Sequence, residues 1–422
     1  MGIFTIIFIY LIIIFINKKI FATTLNPFFI FTTMLSILLL FFYGSNFLDN
    51  KLSFKTSLIL FISVFSFVIG SILALTKIST KNKEKHFENY KMDKSIIIIF
   101  FSLSVLGFFY YLIQINQQIG LLNVLKDPNI LNVKISTNSI QLNTLMMYFL
   151  KLSIPNSIFL LIYILNNKKV NFLYYFMYIF SFVQNVSVRR STLYLMLVLN
   201  IILALYYFSY KFKDRQSKNR KKVVFSISTI FILSMYFFDY MQNKLNKEFM
   251  LEGKKIFGLE ISSSLATIVS YFAGNLSSLD VYIKNQYAED IPFLGVSLRF
   301  FYNFLDSINL YSYEDSFLSL PFVSIPFLYN TTMTQFYIYI ESGYSGIFIF
   351  YIMIGFISTK SYINYMKSGS YFNLIALTIV STILIFSIRE YSLIFVDYYI
   401  LIFSGIILFL KNKISLRKET FK

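Results

Sequence analysis

Eleven apolar runs of membrane-spanning length, or slightly under it, recur along the chain at 3–17, 27–43, 57–76, 95–116, 142–165, 171–187, 191–210, 223–241, 333–357, 371–388 and 391–410. A helix needs about 20 apolar residues to cross a hydrocarbon core about 30 Å thick. Inside that core every backbone polar group must be satisfied within the chain, which leaves helices and closed barrels as the possible spanning structures. The runs are continuous rather than alternating, so the pattern predicts an all-α polytopic membrane protein with about eleven transmembrane helices in a single integral membrane domain, 1–422. Composition agrees: 57% of the residues are apolar and 14% charged, against about a quarter charged in soluble domains. The runs at 3–17 and 171–187 are short and call for a thin or protected stretch of bilayer. The first resembles a signal-peptide core but has no basic segment before it and no small-x-small cleavage site. Lys18 and Lys19 follow it instead, and it is expected to stay as the first helix.

Eleven spans put the termini on opposite sides, and the basic loops decide which is which. The net charge of +18 collects in 77–94, in 211–222 and in the tail from Lys411. With eleven spans these three fall on one side, together with Lys18–Lys19, Lys168–Lys169 and the 358–370 loop. That side is cytoplasmic by the positive-inside rule, so the N-terminus is expected outside and the C-terminus inside. The same excess needs no nucleic acid to explain it. Two absences narrow the chemistry. There is no cysteine, which removes disulfides, thiolate metal sites and cysteine nucleophiles, and the single histidine, His86, lies in a Lys-rich cytoplasmic loop. With Trp also absent, Tyr alone must supply any interfacial aromatic belt.

One loop differs from the rest. Residues 242–332 lie outside, between the eighth and ninth runs, and contain apolar stretches at 261–283 and 295–308. A tether would be polar and rich in Gly and Ser; this loop is expected to form short helices on or dipping into the membrane surface. No internal repeat is evident, which argues against the repeat-built transporters.

Ionisable residues within spans are costly and are functional candidates by default. They are Lys151, Asp239, Glu341, Asp397 and the turn pair Arg389–Glu390. On the predicted topology all lie in the outer half, and no comparable charge lies in the inner half. This implies a polar cavity open to the outside and closed to the cytoplasm. Two readings stay open for each: snorkelling or structural pairing on one side and function on the other for Lys151 and Asp239, and function or a buried pair against snorkelling for Glu341 and Asp397, whose short carboxylates reach less far. Arg189 and Arg190 occupy a very short outer turn, against the positive-inside bias, with Arg299 in the large loop and Arg389 in the last outer turn. A guanidinium binds phosphate oxygens bidentately and stays charged at physiological pH. Outer arginines around a cavity suit a lipid-linked pyrophosphate; the alternative is headgroup contact or pairing with Glu341, Glu390 or Asp397.

The stretch NTTMTQFYIYIESGYSGIFIFYIMIGF (330–356) resembles bacterial oligosaccharide repeat-unit polymerases, the Wzy-type O-antigen and capsule enzymes, at Asn330, Thr331, Glu341, Gly343, Gly346 and Gly355. YFAGNLSSLDVYI (271–283) and GVSLRFFYNFLDSI (295–308) are similar to the family's external loop, and VRRSTLYLML (188–197) to its short arginine turn. The layout resembles the GT-C-like polymerase and ligase architecture over nearly the whole chain; the motifs cover only 188–197 and 271–356. Related O-antigen ligases share the architecture, and some carry an external histidine, whereas His86 is placed inside.

The resemblance implies a cofactor-free, metal-independent glycosyltransferase at the outer face of a bacterial cytoplasmic membrane. Its partners would be undecaprenyl-pyrophosphate-linked oligosaccharides as donor and acceptor, membrane lipids, and a chain-length regulator as a further candidate. Glu341 is the candidate base for the attacking sugar hydroxyl, with Arg190 and Arg389 stabilising the departing pyrophosphate. Arg189, Arg299, Lys151, Tyr271, Asn330 and Asp397 are the expected binding residues. Tyr271 and Tyr302 could stack on sugar faces or simply pack. A flippase for lipid-linked oligosaccharide, or a ligase on the same scaffold, are the competing expectations.

Overall fold

The computed structural model describes residues 26–46, 51–76, 92–126, 143–186, 190–211, 255–261, 263–285, 294–307, 310–312, 322–325, 328–329 and 331–420, with positions 48, 130 and 134. The runs expected at 3–17 and 223–241 lie outside the described residues. In chain order the elements are α1 (Pro27–Gly44), α2 (Phe54–Thr76), α3 (Lys94–Gln118), α4 (Leu121–Lys126), α5 (Thr144–Lys151), α6 (Ser153–Asn166), α7 (Phe172–Val186) and α8 (Arg190–Lys211). A hairpin β1 (Lys255–Ile256)–β2 (Leu259–Glu260) precedes α9 (Ser263–Lys284) and α10 (Arg299–Ser307). A second hairpin, β3 (Val323–Ser324)–β4 (Leu328–Tyr329), leads to α11 (Thr334–Ser368), α12 (Tyr371–Phe386), a short 3-10 turn at Ser392–Ile394 and α13 (Val396–Thr420).

The chain is mostly helical, and among the described residues six helices are long and apolar enough to cross a membrane. They are α1, α2, α3, Thr144–Asn166 (α5 with α6), Thr192–Lys211 within α8, and α11. This is an all-α membrane architecture. Helices α7, α12 and α13 cover three further apolar runs, the first two with 15 and 16 residues. Local chemistry sets several helix ends. The Asn26 side chain accepts from Phe29 N at 2.9 Å with Pro27 next to it, an N-cap followed by the one position that tolerates proline. Asp93 and Asn143 cap α3 and α5 in the same way. Gly369, at φ 65°, closes α11 in the left-handed conformation.

The chain divides into two compact units. The first comprises Met1–Lys85, Phe208–Gly369 and Ala376–Val396. Its centre is the crossing of α2 and α11, where both backbones come close because Gly70 and Gly355 carry no side chain. A methyl group at Gly70 would strike the carbonyl oxygen of Ile352, and one at Gly355 that of Phe67. Small residues do this work between membrane helices, where lipid removes the usual hydrophobic drive. The rings of Phe31, Phe67 and Tyr351 fill the flank, with Phe31 4.6 Å from Phe67 and 5.4 Å from Tyr351.

The folded 255–285 segment is laced to the ends of α1 and α2. Phe257 N donates to Gly44 O at 2.7 Å, Asn46 N donates to Lys255 O, and Lys255 N donates to the Asn46 side chain at 2.8 Å. The buried carboxylate of Asp280, on α9, accepts from Ser53 N (2.8 Å) and Thr56 Oγ1 (2.7 Å) and pairs with Lys284 (2.5 Å). Burial pushes the Asp280 carboxyl up, but the bonds from Lys284, Ser53 and Thr56 outweigh it and hold it below its usual range.

The second unit comprises His86–Tyr207, Ser370–Ile375 and Asp397–Lys422. Helix α3 packs on α5, α6 and α7, and Gly107 permits the approach to the backbone at Leu150 and Met146. A neutral polar seam runs through it. Ser153, Asn156 and Ser157 share one face of α6, and Ser181, Gln184 and Asn185 share one face of α7, all buried. Asn185 Nδ2 donates to Ser153 Oγ (2.7 Å), and Asn200 Nδ2, from α8, to Ser157 Oγ (3.0 Å). Lys411 on α13 pairs with Asp93 Oδ2 at 2.6 Å and donates to Ser95 Oγ at 2.5 Å, clamping α13 to the start of α3.

Candidate functional site

The first unit gathers its site around Glu341. Helix α11 is two helices joined at Gly343, whose φ of 62° and ψ of −155° interrupt the helical path. A side chain there would meet no atom, yet that backbone conformation costs other residues on the order of 1–3 kcal/mol. Glu341 therefore stands in the last turn of the nine-residue outer piece, half-buried and next to the break. Breaks of this kind in membrane helices free backbone polar groups and are tolerated only where protein or a polar cavity receives them.

Both Glu341 oxygens are occupied from the turn that opens α10. Ser297 N donates to Oε1 at 3.1 Å, and Ser297 Oγ donates to Oε2 at 2.7 Å. The same Ser297 hydroxyl lies 2.6 Å from the Tyr391 hydroxyl. The turn before Tyr391 is in turn fixed to the start of α11: Thr334 N donates to Ser387 O at 3.0 Å, and Thr334 Oγ1 to Glu390 O at 2.8 Å. Three segments distant in sequence thus meet at one carboxylate. Arg299 follows Ser297 by two residues, and Arg389 precedes Tyr391 by two. The half-buried Arg389 side chain makes no ion pair or hydrogen bond among the described residues.

Behind this cluster the approach to α11 is held by α9. Ser278 Oγ donates to Thr331 O at 2.6 Å, and Asn275 Oδ1 accepts from Tyr329 OH (3.1 Å) and Thr331 Oγ1 (3.0 Å). Tyr302 pairs its ring with Tyr311, centroids 5.4 Å apart.

Lys151 and Asp397 belong to the second unit and meet each other there. Lys151 Nζ lies 2.6 Å from Asp397 Oδ1, with side chains 21% and 10% exposed. For Asp397 the sequence set function or a buried pair against snorkelling, and the structure shows a largely buried pair with Lys151. Asp397 opens α13, the helix end whose partial charge favours a carboxylate, while Lys151 sits where α5 runs on into α6.

Arg190 begins α8 and Tyr271 lies on α9. Arg189, Asn330, Asp239 and His86 lie outside the described residues. Sequence reasoning missed Ser297 and Tyr391, a serine and a tyrosine in a chain with 33 tyrosines, which nothing but the fold distinguishes. It also passed over Asp280, an acidic residue in an apolar stretch (LSSLDVYI) that met the test applied to the spans. Among the described residues no group of three or more His, Cys, Asp or Glu could hold a metal ion. No family model matches the chain, and no curated protein and no solved structure matches it.

Proposed function

We propose that the chain is a membrane glycosyltransferase that polymerises undecaprenyl-pyrophosphate-linked repeat units at the outer face of a bacterial cytoplasmic membrane. The observation that carries this reading is the Glu341 cluster: a carboxylate fixed by neutral donors at a helix break, with an arginine two residues along each of the other two segments that meet there. Glu341 takes the proton of the attacking sugar hydroxyl. Arg389, with Arg299, receives the charge that develops on the leaving pyrophosphate, and pyrophosphate is already a good leaving group.

The eleven-span topology with the N-terminus outside is part of the same proposal. Its support is that the ties between distant segments join ends that this topology puts on one side. The 44–56 connection, the 242–332 loop and the 387–391 turn are laced to one another or to the outer start of α11. The Lys411–Asp93 pair joins two ends assigned to the cytoplasm.

The test is complementation of a strain lacking this chain. Arg389→Ala and Glu341→Gln should abolish long-chain polysaccharide while single repeat units still reach the cell surface. Normal chain-length ladders in both variants would remove the proposal. Repeat units accumulating on the cytoplasmic face in the deletion strain would assign the chain to flipping instead.

A further inference from the structure

A base works only when it is held where the substrate hydroxyl arrives. The hydrogen bonds that Glu341 receives come from the turn at 296–297 rather than from its own helix. Ser297 uses its N–H on one oxygen and its O–H on the other, a two-point grip that fixes the carboxylate plane. A serine hydroxyl has a single proton and two lone pairs. With that proton directed at Glu341, the 2.6 Å contact to Tyr391 must have the phenol as donor and the serine oxygen as acceptor. Tyr391 is itself immobilised: it is 1% exposed, its ring stacks on Tyr337 at 6.3 Å, and Phe350 meets it edge-on at 5.8 Å.

We infer that Ser297 is the positioning residue for Glu341, and that Tyr391 sets the direction of the Ser297 hydroxyl, so that the external loop and the last outer turn are registered on the carboxylate. Neither residue touches substrate; both act through Glu341. The inference rests on the reading of Glu341 as the base.

The experiment uses the full chain in native membranes, with lipid-linked repeat units extracted from a strain lacking it as the probe. Ser297→Ala should lower kcat by roughly 10- to 100-fold with KM little changed, since misplacing a reacting group by about 1 Å costs on this order. Ser297→Thr, which keeps the hydroxyl, should recover most of the rate, and Tyr391→Phe should lose less than Ser297→Ala. Amide exchange supplies a readout independent of activity. In Glu341→Ala the peptide containing Ser297 should exchange roughly tenfold faster, because its N–H loses a charged acceptor.

Ser297→Ala as active as wild type, alongside a dead Glu341→Gln, would overturn this inference and leave the proposed function standing. Full activity in Glu341→Gln would overturn both. Equal losses in Ser297→Ala and Ser297→Thr, or unchanged exchange at Ser297, would show that the hydroxyl grip is not what positions Glu341.

Discussion

Glu341 and Asp397 look alike in the sequence: single carboxylates in apolar runs, each about two turns in from the outer face. In the fold they are opposites. Asp397 stands against Lys151 at 2.6 Å, and the charge of each cancels the other. Glu341 receives neutral N–H and O–H donors, with no cation paired to it among the described residues. The lesson is that a carboxylate in a membrane protein takes its role from its partner. One held by a cation is a tie between elements, whereas one held by neutral donors has no counter-charge beside it. Asp280, with both kinds of partner, and Asp93, with a half-exposed lysine, fall between.

Neutralising each carboxylate in turn is the way to break this ordering. The largest effect should come from Glu341→Gln, which on the proposed function is expected to reduce polymer formation by about 10²-fold or more, with a stability cost of only about 1–2 kcal/mol from the Ser297 donor left facing an amide. A fall in thermal stability as large as the fall in activity would put Glu341 in the same class as Asp397.

Next is Asp397→Asn, which leaves the Lys151 ammonium mostly buried and unpaired and should cost about 3 kcal/mol. Adding Lys151→Met should recover part of that loss, with a coupling above roughly 1 kcal/mol in a double-mutant cycle. Independent, additive losses measured by denaturation in detergent would mean that the pair is not a tie.

Asp280→Asn should cost about 1–2 kcal/mol at neutral pH. The Asp280 carboxyl is held below its usual range, so its stabilisation is fully present above the unfolded value of about 4 and is lost as pH falls through the lower folded value. The stability gap between wild type and Asp280→Asn should therefore close on acidification, read by amide exchange over 255–284. The smallest effect belongs to Asp93→Asn, at under about 1 kcal/mol, because its pair with Lys411 is exposed enough for salt to screen.

The helices were legible because continuous apolar runs carry their own signal, and nine of the eleven runs coincide with described helices. Glu341, Lys151 and Asp397 could be picked out because a charge in hydrocarbon is conspicuous. Their partners could not. That Lys151 meets Asp397, some 250 positions along the chain, depends on how α5 and α13 are brought together. Ser297 and Tyr391 have no local pattern at all; their importance comes entirely from the tertiary meeting at Glu341. The close approach at Gly70 was equally hidden, since a lone glycine in an apolar helix reads as tolerated rather than required.

The interruption at Gly343 has a consequence for how this chain can vary over time. A continuous helix would pass any shift at the Gly355 crossing outward along its ladder of backbone bonds to Glu341. With the path interrupted, the outer nine residues are tied through Thr334 to the 387–390 turn and through Glu341 to Ser297. The long inner segment packs on α2 at Gly355 and reaches the site through Phe350, whose ring meets Tyr391. Substitutions on the exposed surface of the inner segment should then disturb the placement of Glu341 less than substitutions within the outer nine residues.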